Sequence, residues 1–451
     1  MTSPIRVAVV GSGPAGFYAA DALLKSEDPA VEVDVLDRLP TPWGLVRFGV
    51  APDHENIKAV SRAFQRTAAR PGFRFFGNVE VGGALAHEDL LRLYDAVVYT
   101  VGAQTDRRLG IPGEDLPGSW PATAFVAWYN GHPDFQDLEF DLSHERVVVI
   151  GNGNVAIDCA RMLALTEEEL ATTDTTDPAS RAIAESGIRE IVMLGRRGPV
   201  QAAFTPPELQ ELGELAGAEP IVDPRDLELD PASEEALEHD RERARRNVEI
   251  LREYAARSPV GKSRRIVLRF LASPVQIIGD DRVEAIEVMR NELVEQDGAL
   301  VARPTGETET IECGLVLRSV GYRGVALPGL PFDERGGTIP HDCGRVAGAE
   351  RTYCAGWIKR GPSGVIGTNK KDSTETIGAL LEDARAGRLR GAEGGDLAEL
   401  LDERGVEYVE HAGWEAIDAA ERAAGEPLGR PRVKLTDWRE LLATGVRSRQ
   451  A

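Results

Sequence analysis

Gly11-Ser12-Gly13-Pro14-Ala15-Gly16 follows directly on the apolar run at 5–10, and Gly151-Asn152-Gly153-Asn154-Val155-Ala156 follows on a second run at 147–150. Each string sits between a strand-like segment and the opening of a helix, which is the context that gives a glycine-rich spacing its meaning. The first Gly permits a tight turn, and the second lets backbone approach a pyrophosphate. The third position, Gly or Ala, lets helix pack on strand, while the helix N-terminus offers N–H groups and a positive dipole end to the phosphates. Two such units predict an α/β chain with two Rossmann-like dinucleotide-binding domains.

The residues downstream of each string tell the two apart. Beyond the first, Val31-Glu32-Val33-Asp34-Val35-Leu36 alternates like a strand and ends in Asp37, at the distance of about 20 residues where an acid accepts ribose hydroxyls. Beyond the second, Ile191-Val192-Met193-Leu194-Gly195 ends in Arg196-Arg197. Guanidinium groups there suit a 2′-phosphate that a carboxylate would repel; the plainer alternative is a solvated pair at a strand end. The first site therefore reads as FAD and the second as NADP. A chain holding both is most simply a flavoprotein that exchanges hydride with a nicotinamide.

A chain of 451 residues is too long for one core and predicts two domains. A net charge of −22 argues against nucleic acid or anionic membrane as partners. No apolar stretch reaches the length of a bilayer span, and the first strand begins at Ile5, so a cytoplasmic protein is expected. Cys159, Cys313, Cys343 and Cys354 form neither a C-x-x-C pair nor a metal or iron–sulfur spacing. No metal is expected, and electrons should leave a flavin directly for an external acceptor.

Composition along the chain suggests 1–105 as the first part of the FAD domain, 106–330 as an inserted NADP domain, and 331–451 as the return to the FAD domain with a C-terminal extension. The Pro- and Gly-rich segment 39–54 reads as a loop, with a helix over 53–69 and strands at 73–81 and 94–103. Thr166-Glu167-Glu168-Glu169 reads as a capping box. The charged stretch 223–257 predicts an exposed helix. Alternation around 266–271 and 283–289 predicts an antiparallel pair, and 315–323 another central strand. A short strand at 352–356, a glycine-rich loop at 357–369 and a helix over 371–381 come next. Past 385 the tail is charged and helix-prone, without a functional signal.

These segments together resemble the NADPH–ferredoxin reductases of the adrenodoxin reductase type, the bacterial single-chain members most. The matches, in order, are the first fingerprint, Pro42-Trp43-Gly44-Leu45-Val46-Arg47 through Ala51-Pro52-Asp53-His54, and the second fingerprint through Ile157-Asp158. Then come Gly195-Arg196-Arg197-Gly198-Pro199, Arg318-Ser319-Val320-Gly321-Tyr322, and Trp357-Ile358-Lys359-Arg360-Gly361-Pro362 through Gly364-Val365-Ile366-Gly367-Thr368-Asn369. The resemblance implies FAD contacts at Gly11, Ser12, Gly13, Pro14, Ala15, Gly16, Asp37, Gly44, Leu45, Val81, Trp357, Gly364, Val365 and Ile366. It implies NADP contacts at Arg107, Asn152, Gly153, Asn154, Val155, Arg196, Arg197 and Glu208, with Gly364 reaching the nicotinamide end. His54 and Glu211 fall where the family places polar side chains beside the nicotinamide. One departure is Asp37, where the family usually has Glu; the shorter arm can contact ribose through water.

Hydride transfer from nicotinamide to flavin needs stacked rings at roughly 3–3.5 Å and no protein nucleophile. The helix start near 364–369 suits negative charge on a reduced flavin, though flexible glycines at an ordinary helix start look the same. The expected activity is oxidation of NADPH with electrons passed singly to a ferredoxin-type iron–sulfur protein by a monomer. The alternatives are an NADPH oxidase or quinone reductase, and, outside enzymes, a flavin-stabilised binding protein with a degraded NADP site. An acidic partner would need a local basic face, for which Arg241, Arg243, Arg245, Arg246, Lys262, Arg264, Arg265, Lys359 and Arg360 are candidates; the four helical arginines could instead pair with neighbouring acids.

Overall fold

The near-continuous apolar runs at 5–10 and 96–99 leave little polar face for solvent, and 31–36 sets Val31, Val33 and Val35 against Glu32 and Asp34; runs of the first kind form parallel strands buried on both sides. In the computed structural model, which describes residues 4–239, 242–296, 298–389 and 391–447, they do. The chain divides into two compact units: Met1–Thr105, Asn130–Gln136 and Gly321–Ala451 form the first, and Asp106–Tyr129 with Asp137–Val320 form the second.

Among the described residues the first unit builds an eight-stranded sheet in the order His341–Asp342, Arg345–Val346, Thr352–Cys354, Ala96–Tyr99, Ile5–Val10, Val31–Leu36, Phe73–Gly77, Val409–Glu410. The five strands from Thr352–Cys354 to Phe73–Gly77 run parallel, with Val7 opposite Val33 and Ala96. Helix Pro14–Leu23 packs on this sheet through Phe17, which stacks on Phe64 at 4.9 Å. Proline is accommodated at its first turn because that N–H has no helical acceptor.

The second unit holds a six-stranded parallel sheet, ordered Ser119–Pro121, Leu315–Arg318, Arg146–Ile150, Glu190–Leu194, Arg264–Arg269, Ala218–Val222. A three-stranded antiparallel sheet of Ala272–Ile278, Ala285–Gln296 and Ala299–Glu312 accompanies it. The anticipated pairing of 266–271 with 283–289 is therefore wrong. Arg264–Arg269 alternates because Arg265 and Arg269 lie at the ends of a strand whose Ile266 and Leu268 are core, and it is an interior parallel strand.

Other boundaries also move. The inserted unit ends at Val320 rather than 330, since 321–330 belongs with the first unit, where Thr105 Oγ1 donates to the Arg323 carbonyl at 3.0 Å. The excursion Asn130–Gln136 returns to the first unit within the insertion; there Arg38 pairs with Asp134 at 2.7 Å and Trp438 Nε1 donates to it at 2.9 Å. The helix expected over 53–69 is two, Glu55–Lys58 and Ser61–Ala68. The first buries nothing, whereas the second is anchored by Phe64 and Thr67. Strand Phe73–Gly77 stops short of Val81, which forms only an isolated bridge with Leu85. The 223–257 stretch contains helices Pro231–His239 and Glu242–Ala256, the latter half-buried through Val248, Ile250 and Leu251. The Thr166 capping box is present: Thr166 N donates to Glu169 Oε2 at 2.8 Å and Glu169 N to Thr166 Oγ1 at 3.2 Å.

Candidate functional site

In the first unit the three fingerprint glycines are demanded by different neighbours. Gly11 has φ +104°, and a Cβ there would lie 2.7 Å from the Thr100 carbonyl oxygen; one at Gly16 would lie 2.0 Å from the Gly11 oxygen. Both are enforced by the chain's own packing. A Cβ at Gly13 would meet nothing within 4 Å. The middle glycine thus borders open space at the start of helix Pro14–Leu23, the place where a pyrophosphate fits against a helix N-terminus. Asp37 lies alongside: its carboxylate accepts from Ser12 N at 2.8 Å, from Leu39 N at 2.9 Å and from the Ser12 hydroxyl. Burial raises its pKa, against the pull of those donors and of Arg38.

The remaining expected FAD residues all lie in this unit. Gly44 has φ 50° and sits so close to the fingerprint that its Cβ would be 3.0 Å from Gly13 Cα. Leu45 and Val365 are unusually exposed for their type, at 37% and 63%, while Val81 is buried. Trp357 tilts against Tyr322 at 5.2 Å, and its buried Nε1 has no hydrogen-bond partner among the described residues. Gly364 has φ +80° just before helix Ile366–Arg385, which begins five residues earlier than expected and at Ile366 itself. An open glycine cradle, an unsatisfied indole N–H and uncovered apolar side chains fit a flavin dinucleotide.

The second unit repeats the logic. Gly151 has φ +139° and a Cβ there would be 2.2 Å from the Ser319 oxygen, whereas the nearest atom to one at Gly153 is 4.0 Å away. Ala156 at the third position is fully buried. The Asn152 carbonyl accepts from Ala203 N at 2.9 Å and Phe204 N at 3.1 Å, and Asn154 Oδ1 accepts from Thr205 N at 2.9 Å. Val155 continues helix Asn154–Ala164. Arg196 and Arg197 have exposed side chains on a pinned backbone: the Arg196 carbonyl accepts from Asn291 Nδ2 at 2.9 Å and that of Arg197 from Leu271 N at 3.1 Å. Neither guanidinium has a carboxylate partner among the described residues, so both are available to a 2′-phosphate. Arg107 is likewise exposed, next to Arg108, which pairs with Asp115 at 2.5 Å.

His54 lies at the N-terminal boundary of Glu55–Lys58 in the first unit. Glu208 and Glu211 lie on helix Pro206–Glu211 of the second. There the Arg161 side chain, 2% exposed, has Asp158 at 2.8 Å, Glu208 at 3.3 Å and Glu211 at 3.5 Å. Sequence reasoning missed Arg161, although a cation in the otherwise largely apolar stretch 155–164, three positions after Asp158, is a readable signal that carboxylates must be near. It also missed Asp372 and Ser373, which tie the expected flavin segments together. Asp372 accepts from Gly356 N at 2.5 Å, and Ser373 Oγ donates to the Ala15 carbonyl at 2.9 Å.

The expected basic face is largely self-satisfied. Arg245 donates to the Leu237 and Glu238 carbonyls, Arg246 pairs with Glu249 at 3.1 Å, and Arg265 with Glu190 at 2.9 Å. Lys262 donates to the Leu215 carbonyl, and buried Arg264 to those of Leu163 and Leu165. Lys359 is buried beside Asp372 at 3.0 Å and is no docking residue, and Arg360 donates to Asn369 Oδ1 at 2.7 Å. Arg243 is exposed, and Arg241 lies outside the described residues. All four cysteines are thiols; burial pushes Cys313 and Cys354 up to about 12, so neither is a nucleophile at neutral pH. No helix among the described residues is long and apolar enough to cross a membrane.

Two glycine cradles of this kind, one beside an acid and one beside paired arginines, define a flavoprotein oxidoreductase that uses a nicotinamide nucleotide. A family model for Pyridine nucleotide-disulphide oxidoreductase matches residues 5–193. The chain is 52% identical over 449 residues to NADPH-ferredoxin reductase FprA of Mycobacterium leprae, covering 98% of each. It is 41% identical over 464 residues to the mitochondrial NADPH:adrenodoxin oxidoreductase of Arabidopsis thaliana, covering 98% of this chain and 96% of that one. The structure of Mycobacterium tuberculosis FprA in complex with NADPH superposes with a TM-score of 0.94 at 50% identity, over 98% of this chain and all of the other. The chain belongs to the NADPH–ferredoxin reductase family of the adrenodoxin reductase type, with FAD as its cofactor and NADP(H) as its nucleotide substrate.

Proposed function

We propose that the first unit holds FAD through residues 11–16, Asp37, Gly44, Leu45, Val81, Trp357 and 364–366. The second holds NADP(H) through Arg107, residues 152–155, Arg196, Arg197 and Glu208. Electrons taken from NADPH go to a ferredoxin-type iron–sulfur protein. The observation that carries this reading is the pair of cradles in which a Cβ at Gly13 would meet nothing within 4 Å and one at Gly153 would have its nearest neighbour at 4.0 Å, while their flanking positions are packed. Bound FAD supplies a group that accepts two electrons together and releases them one at a time. The protein's part is positional. Arg196 and Arg197 select the 2′-phosphate, and Asp37 fixes the fingerprint loop through Ser12. The start of helix Ile366–Arg385 offers a positive dipole end. His54 and Glu211 supply polar side chains to the nicotinamide site.

The partner complex is transient, the protein is a monomer, and its compartment is the cytoplasm, a setting that suits four reduced thiols. The test is stopped-flow mixing with NADPH and then with oxidised ferredoxin. Flavin colour should bleach on mixing and return at a rate set by ferredoxin concentration. Return only with quinone or oxygen would replace the ferredoxin assignment by a small-molecule acceptor.

A further inference from the structure

The loop after the second strand contains a backbone conformation that tryptophan rarely adopts: Trp43 has φ 85°, with Gly44 next at φ 50°. A bulky residue in this region persists only where its surroundings over-determine it. One restraint comes from the fingerprint itself, because Trp43 N donates to the Ser12 carbonyl at 3.0 Å. Gly44 then closes on Gly13.

The other restraints come from the far end of the chain. Trp414, on helix His411–Gly425, meets Trp43 edge-on at 4.8 Å. Arg47, in the short helical turn Leu45–Phe48, stacks its guanidinium over Trp414 at 5.3 Å and over Phe48 at 5.1 Å. It forks onto Glu421 with bonds of 2.9 and 2.5 Å, across 374 positions of sequence. The two side chains are 2% and 0% exposed. Glu421 also accepts from Arg432 Nη1 at 3.0 Å and Leu435 N at 2.9 Å, and Lys434 Nζ donates to the Arg47 carbonyl at 3.4 Å. A fully buried carboxylate with four donors is a fixed point, since every displacement strands a charge away from water.

We propose that the C-terminal segment 411–435 is a positioning element for the flavin cofactor: Glu421 and Trp414 hold Arg47 and Trp43, and through them set Gly44 and Leu45 against the Ser12-Gly13 turn. This rests on the reading that the first unit binds FAD. FAD retention and the flavin's surroundings then depend on a carboxylate that belongs to neither nucleotide motif.

The experiment compares wild-type holoenzyme, Glu421→Gln and a control, Asp383→Asn. Asp383 is a carboxylate of the same unit held by Arg345, Arg388 and Tyr353, outside the loop concerned. Release of FAD from diluted holoenzyme is tracked by flavin fluorescence, and the bound flavin by visible circular dichroism. Glu421→Gln should release FAD at least about tenfold faster, with an altered flavin dichroism, and leave NADP(H) affinity within about twofold. Asp383→Asn should lower Tm while its FAD release and dichroism remain wild-type. If Glu421→Gln only lowers Tm, with wild-type release and dichroism, the pair is merely structural and the proposal falls. Should that variant fail to fold, Arg47→Met/Glu421→Met removes both charges together, a replacement buried pairs often tolerate, and the same two outcomes decide. Wild-type protein without FAD would overturn the underlying reading instead.

Discussion

In the proposed NADP site, Arg196 and Arg197 give the choice of nicotinamide nucleotide to a single side-chain type. Their backbones are pinned by Asn291 and Leu271 while their guanidiniums face solvent, so the charge is held in place without being spent on the protein. Each charge-assisted bond to a 2′-phosphate contributes about 1.5–3 kcal/mol. Arg196→Ala/Arg197→Ala should therefore raise KM for NADPH at least about tenfold and leave KM for NADH nearly unchanged. Steady-state kinetics with both donors checks this, and equal losses would remove the assignment. Asp106 gives a second prediction at this scale. Burial pushes its carboxyl from 3.8 up to about 6, against the Thr123 hydroxyl and Arg318. Between those two pH values the unfolded chain has already released the proton that the folded chain retains. Stability therefore falls as pH rises through that window, and the cost is complete above it. Asp106→Asn should have a Tm advantage over wild type that grows from pH 4 to 6 and then levels off. An advantage independent of pH would contradict the titration.

The fingerprints act as elements rather than as single residues, and their glycines separate folding from binding. Gly11→Ala puts a Cβ against the Thr100 backbone at a positive φ and should lower Tm and flavin content together. Gly13→Ala meets nothing in the chain. It should change the stability of the flavin-free protein by less than about 1 kcal/mol and still abolish FAD retention. Thermal melts with and without FAD distinguish the two, and loss of fold in Gly13→Ala would mean that its space belongs to the protein. At this scale most of the architecture was legible. Apolar runs announced the parallel strands, and Thr166 with Glu169 announced a helix start. Arg264–Arg269 was misread because alternation marks one buried face and says nothing of whether its neighbour is parallel. The 53–69 helix was misread because the unanchored stretch at its start has no buried residue to keep it in register with the next turn.

For the whole molecule the governing quantity is charge. At −22, long-range forces repel an acidic partner, and added salt would then speed association. A local basic face would reverse that sign, because salt screens the short-range attraction within roughly 8–10 Å. With Arg246 and Arg265 already on carboxylates and Lys359 buried, net repulsion governs: ferredoxin reduction should quicken as ionic strength rises while dye reduction by NADPH changes little, and slowing by salt would mean that a local basic face outweighs the net charge. Arg245→Glu/Arg246→Glu/Arg265→Glu should impair ferredoxin turnover and spare reduction of the flavin. Arg246 and Arg265 already face carboxylates while Arg245 faces only carbonyls, so reversal removes three positive charges and leaves a strongly acidic patch. Unchanged ferredoxin kinetics would exclude this surface as the docking face.

The two nucleotide folds and the family follow from the order of residues, because each fingerprint's strand, glycine turn and helix start adjoin one another and the family's segments come in sequence; FAD at the first and NADP at the second is the reading that Asp37 and Arg196-Arg197 add. A turn, a helix start and a charge at a strand end are local chemistry, and local chemistry is written in order along the chain. Long-range packing alone returns residues 130–136 to the first unit, brings Glu208 and Glu211 to Arg161, and sets Glu421 on Arg47. Buried charges must find partners wherever the fold brings carboxylate and guanidinium together. Across 374 positions neither periodicity nor spacing carries any trace of that meeting.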